Sequence, residues 1–236
     1  MKSKLVCITA ALSLIGLSGC SVKSSDEFTT EEIEAIFEIY ISDKKDAIES
    51  HVKIEAVLKA TGSGGDISAV SLSEEDSLKV IYKDIEHNVI ENYMALGLYS
   101  TNFLASVSDN DSLDIELIHD EDSVNSSIEF DVLPELTSEE EVSLSINDSV
   151  SLSWINNSAK INRINFSGPC YRYHQVDLEP EETSYTINLT ELEFNNFEAC
   201  IGEVELEWKI LGSLNPKFEK GEVTAYITKG VILNIE

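Results

Sequence analysis

Two spacings of apolar side chains divide the chain. From Thr29 to about Tyr99 the apolar positions recur at three- and four-residue intervals. Ile33, Ile36, Phe37 and Tyr40 come first, then Ala47, Ile48, Val52 and Leu58, then Leu78, Ile81, Ile85, Val89, Tyr93 and Leu96. That is the period of one helix face, and it predicts two or three amphipathic helices packed antiparallel. Thr29 with Glu32 offers a capping box ahead of the first, and Ser73 with Asp76 a start for a later one. Ser42 and Asp43 interrupt the pattern, and the small residues of 61–66 read as a loop.

After about Ser106 the period becomes two. Residues 114–118, 127–132, 141–146, 149–154, 161–166, 184–189, 203–208 and 222–228 alternate apolar with polar side chains, and Val231 to Ile235 adds one more such run. Seven to nine short strands with one wet face each predict an antiparallel sandwich. Trp154 at the end of one strand, Ile161 to Phe166 as the next, and Tyr185 with Leu192 beyond resemble immunoglobulin-like and fibronectin type III sandwiches. Trp154 precedes both Cys170 and Cys200 instead of lying between them, as it does in immunoglobulin domains. The expected fold is therefore α+β, with a helical region over 28–105 followed by an Ig-like β-sandwich over 106–236.

Charge narrows the partners. The chain has 236 residues, 44 acidic against 16 basic, for a formal charge of −28. A nucleic-acid partner is excluded, because such a binder needs clustered Lys and Arg to neutralise phosphates. No Lys or Arg occurs among the 76 residues from Asp84 to Ala159, and residues 109–148 hold fourteen carboxylates. Oxygen donors at that density offer a Ca²⁺ site, with Asp109, Asp111, Asp120 and Asp122 as candidates. The run from Asp109 to Asp114 lacks the sixth-position glycine of an EF-hand, so the plainer expectation is a solvated acidic face with no metal and no cofactor.

Lys2 and Lys4 precede an apolar stretch from Leu5 to Leu17, too short to span a bilayer and flanked like a secretory signal. Leu17-Ser18-Gly19-Cys20 then resembles the lipobox of bacterial lipoproteins. The resemblance implies a signal peptide over 1–19 and a palmitate-type diacyl anchor on Cys20 as the first mature residue. It also implies a tether over 20–27 and, with Ser21 next, a location at the outer membrane. Which side of that membrane the body faces stays open. Loss of Lys2 and Lys4 takes the charge to −30. Anionic headgroups repel such a body, so the acyl chains supply the membrane affinity. With Cys7 removed and Cys20 acylated, Cys170 and Cys200 are left to pair in an oxidising compartment. They close a loop whose constraint is worth about 3–4 kcal/mol.

Catalytic patterns are incomplete. Ser42-x-x-Lys45 and Ser108-Asp109-Asn110 match two boxes of serine β-lactamases, but the third is absent, and Thr228-Lys229-Gly230 has its letters in another order. His51, His87, His119 and His174 are scattered without metal-ligand spacing and read as ordinary surface or half-buried residues. Phe166, Tyr171, Tyr173 and His174, around Ser167 to Cys170, make either a recognition surface or a cover for the sandwich edge. The expected function is a non-catalytic envelope lipoprotein, a binding or structural module contacting an envelope or secreted protein with a basic surface. The alternatives are an envelope hydrolase or metal-dependent enzyme with a dispersed site, and a carbohydrate-binding sandwich.

Overall fold

The segment Ile33 to Ser42 satisfies a helical and an alternating reading at once, and long-range packing selects the second. Its β-branched and aromatic residues favour extended backbone, and Ile33, Ala35, Phe37, Ile39 and Ile41 are all buried on one side. The next run decides more sharply. As a helix it would set Glu55 and Lys59 on the same face as Val52 and Ala56. As a strand it puts Val52, Ile54, Ala56, Leu58 and Ala60 together in the core and every charge on the other side.

The computed structural model describes residues 22–42, 49–61, 66–120, 122–155, 160–179, 181–195 and 199–236. Cys20 and its lipobox, Lys45 of the Ser-x-x-Lys pattern, the glycines of 62–65 and Glu121 lie outside the described residues. The first half comprises β1 (Val22–Ser24), β2 (Ile33–Ser42), β3 (Ser50–Thr61), β4 (Ile67–Ser71), β5 (Ser77–Tyr82), β6 (Ile85–Asn88), β7 (Ile90–Asn92), β8 (Ala95–Ala105), β9 (Asp111–His119) and β10 (Asp122–Phe130). The second half comprises β11 (Glu135–Leu136), β12 (Glu141–Leu144), β13 (Ser149–Ile155), β14 (Lys160–Ser167), β15 (His174–Asp177), β16 (Ser184–Asn188), β17 (Cys200–Leu211) and β18 (Lys220–Ile235).

The helical region expected over 28–105 is therefore corrected: it is strand, and no helix of seven residues or more occurs among the described residues. The capping box is real but closes a single 3₁₀ turn. The Thr29 N–H donates to Glu32 Oε2, the Glu32 N–H donates to the Thr29 carbonyl, and the chain then enters β2. Ser73 and Asp76 likewise close only a turn.

An eleven-stranded sheet has the central order β1-β4-β3-β2-β18-β17-β14-β15, with β8 and β7 continuing from β3 and β12 lying beside the end of β18. Four strands in the order β10-β9-β5-β6 and three in the order β11-β13-β16 form two smaller sheets. The buried apolar side chains of all three belong to one continuous core, as in a sandwich. Pairing is not wholly antiparallel: β1 with β4, β2 with β18 and β12 with β18 run parallel. The strands read from 222–228 and 231–235 are one, β18, which bridges the first and last thirds of the chain.

Candidate interaction surface

Three residue types of a hydrolytic triad meet under the amino-terminal segment, and their geometry is structural. Ser25 follows β1, Asp76 precedes β5 and His119 ends β9. Ser25 Oγ donates to Asp76 Oδ2 at 2.5 Å and accepts from the Ser73 N–H at 2.8 Å. His119 is fully buried, its Nδ1 3.0 Å from Asp76 Oδ2 and its Nε2 2.9 Å from the Phe28 carbonyl. Carboxylate and carbonyl only accept, so both ring nitrogens donate and the imidazole is a cation. Burial opposes that charge, but the Phe28 carbonyl and Asp76 prevail and the net shift of His119 is upward. Burial also works against the Asp76 anion, yet the bonds from Ser25 and His119 hold its carboxyl below the usual range. A nucleophile needs its base within reach with a free lone pair, and here serine binds the acid while histidine has none to offer.

A cleft of about 280 Å³ runs beside this cluster, lined in part by Leu72, Asp76, Val89, Ile90, Glu91 and Tyr99. It lies just below the volume of typical ligand pockets, and its acids are engaged. Glu91 accepts from Ser71 Oγ and the Gly97 N–H, and Asp76 is held as above.

The calcium candidates do not converge. Asp109 and Asp111 sit at the start of β9, Asp120 and Asp122 at its end, roughly 30 Å apart for nine extended residues. Asp109 accepts from the Leu133 N–H, and Asp111 from Tyr82, Lys83 and the Ser108 N–H. Asp120 lies 3.6 Å from His119 Nε2, and Asp122 pairs with Lys217 at 2.8 Å. Among the described residues no three His, Cys, Asp or Glu side chains form a metal-binding group.

Cys170 and Cys200 are bridged, joining the loop between β14 and β15 to the start of β17. The aromatic set around that bridge divides. Phe166 and Tyr171 are core, packed edge to face, with the Tyr171 hydroxyl donating to the Glu203 carbonyl. Tyr173 is exposed and donates to Asn165 and Gln175.

These last residues belong to the outer face of the eleven-stranded sheet. Registered positions across β17, β18, β2 and β3 set Lys209, Tyr226, Tyr40 and Lys53 in one row. The two rings stack at 5.4 Å and each carries a lysine ammonium within 6 Å, a cation–π ladder that stiffens the face. Tyr40 donates to Glu38, and its pKa is raised by burial and by Glu38 and Glu55. Beyond the ladder, Glu203, Glu205 and Glu207 line β17 beside Arg163, Asn165 and Tyr173. Glu205 has a raised pKa, first from burial and then from Glu203 and Glu207.

Sequence reading paired Cys170 with Cys200 but missed both the His119 cluster and this face. His119 continues the inward set Leu113, Leu117 and Ile115 by the same alternation; that parity was the available signal. The face depends on strands that the helical reading did not contain.

The fold defines an all-β protein of sandwich-like packing. No family model matches the chain, and no curated protein matches it. Among solved structures, a point mutant of Salmonella alpha-2-macroglobulin is similar over 93% of this chain and 15% of its own length, at 12% identity and a TM-score of 0.27. A superposition that loose defines no shared fold.

Proposed function

We propose that this chain is a lipid-anchored lipoprotein of the bacterial cell envelope, favoured at the outer membrane, that works without catalysis as a binding or structural module. The supporting observation is the open face of the large sheet, where Glu203, Glu205 and Glu207 stand in a row beside Tyr173 and Arg163. A partner presenting lysine or arginine there would relieve the crowding of like charge on Glu205, and attraction to a body of −30 would speed the encounter. The export and lipidation pattern at Leu17 to Cys20 and the Cys170–Cys200 bridge fit an oxidising compartment.

The test is a photoreactive side chain installed in intact cells at Tyr173, with Ile85, exposed elsewhere, as control. The Tyr173 probe is expected to give a discrete protein adduct that weakens with salt and disappears on changing Glu203, Glu205 and Glu207 together to Gln. Equal, diffuse labelling from both positions would count against the binding face. Turnover of a hydrolase substrate, abolished by His119→Gln in a folded protein, would favour the enzyme instead.

A further inference from the structure

One edge of the described fold, the one that holds Val22, carries a group of exposed apolar side chains. In the large sheet, Thr61 at the end of β3 pairs with Ile67 at the start of β4, and Val22 at the start of β1 lies beside Ala69. Val57 pairs with Leu98 near the start of β8, and Asn92 at the end of β7 with Ala95. The β7–β8 turn, the start of β4 and the start of β1 therefore share one edge of the fold. Gly97 confirms the closeness: a Cβ there would come within 2.7 Å of the Ala69 side chain.

That end exposes large apolar side chains. Tyr93 and Met94 at the turn are 88% and 80% exposed, and Ile90, Leu96, Ile67 and Val22 are exposed around them. Surface positions of this kind scattered singly need no explanation, but a contiguous group does. From Ile90 to Leu104 the only charged residue is Glu91, and its carboxylate is turned onto Ser71 and the Gly97 N–H. A hairpin so free of charge in a chain of 44 carboxylates is not built for the basic partner that suits the opposite part of the sheet.

Its position identifies the occupant. Val22 is two residues from Cys20, a reach of about 7 Å, so acyl chains on Cys20 would enter the bilayer beside this edge. We propose that the β7–β8 hairpin, with Tyr93 and Met94 foremost and Ile67, Leu96 and Val22 behind them, lies in the interface of the membrane that holds Cys20. This inference rests on the lipid anchor proposed above. Tyrosine suits that depth because its ring is apolar and its hydroxyl is wet. Anchor and hairpin together would fix the body's orientation, where a lipid on a free tether would let it tumble, and would hold the acidic sheet face away from the headgroups.

The experiment uses the mature acylated protein in phosphatidylcholine vesicles, with an environment-sensitive dye on Met94→Cys or, as control, on Ile85→Cys. Ile85 pairs with Tyr82, whose hydroxyl reaches Ser106 beyond the far end of β8, so the control sits at the opposite edge. Both sites are exposed and outside the core. On vesicle binding the dye at 94 is expected to brighten several-fold and to be quenched by nitroxide-bearing lipids, while the dye at 85 changes by less than about a fifth. Flotation of the same sample reports the anchor independently. A protein that floats while its dye at 94 stays as wet as that at 85 overturns the hairpin contact and leaves the anchor standing. A protein that does not float overturns both.

Discussion

The two ends of the chain's fold are fastened by different chemistry. Near the amino terminus, the segment Ser25 to Phe28 is held by a buried ion pair: His119 spans Asp76 and the Phe28 carbonyl while Ser25 closes the ring of bonds. Toward the carboxyl end, the loop after β14 is held by the Cys170–Cys200 bridge, with Tyr171 laid flat across Gly202. The first fastening depends on pH and on complete hydrogen bonding. The second depends on oxidation and on steric fit. The fold thus has a covalent staple on the part farther along the chain and an electrostatic one behind its first strand.

The largest effect expected is at the ion pair. His119→Ala or Asp76→Ala leaves an uncompensated buried charge and should lower stability by about 3–5 kcal/mol in denaturant titrations. A loss under 1 kcal/mol would mean the pair is not buried and charged. Reducing the disulfide, or changing both cysteines to alanine, should remove about 2–4 kcal/mol, and combining it with His119→Ala should be additive, since the sites share no partner. Gly202→Ala forces a methyl to within 2.7 Å of the Tyr171 ring and should cost about 1–3 kcal/mol; Tyr171→Leu in the same background should recover part of it.

The pH dependence separates the fastenings further. His119 is raised above its ordinary 6.5, so its contribution is complete below that pH and is lost as pH climbs through the higher folded value. Asp76 is lowered below 3.8, so its contribution is complete above that pH and is lost as pH falls through the lower folded value. The stability difference between wild type and His119→Ala should therefore peak between these limits and shrink on the alkaline side, whereas the effect of breaking the disulfide stays level. The smallest expected change is a gain: Glu205→Gln removes a like charge from the row on β17 and should stabilise the protein by about 0.5 kcal/mol at neutral pH, with the gain fading in acid as Glu205 protonates.

The carboxyl-terminal region was more legible than the amino-terminal one, and the reason lies in the residues between the buried positions. Glu203-Val204-Glu205-Leu206-Glu207-Trp208 carries a charge at every second place, so only one period fits. In Ile33 to Ser42 the outward positions hold Ile36 and Tyr40 as well as Glu34 and Glu38. Apolar residues on both faces of a strand imitate a helical spacing. The disulfide followed from cysteine arithmetic, but the sheet order did not, because the parallel pairing of β2 with β18 joins residues nearly two hundred positions apart. The acidic stretch of 109–148 was visible as composition, while the separation of Asp109 and Asp111 from Asp120 and Asp122 along β9, and the partners of those four carboxylates, needed coordinates.

The clamp of Ser25, Asp76 and His119 requires a proton on both ring nitrogens of His119, because Asp76 and the Phe28 carbonyl both accept from it. Nitrogen-15 chemical shifts of His119 in the folded protein at neutral pH test this directly. Two protonated ring nitrogens, unchanged until the solution is made alkaline, are predicted. A neutral ring with one unprotonated nitrogen at that pH would contradict the charged clamp.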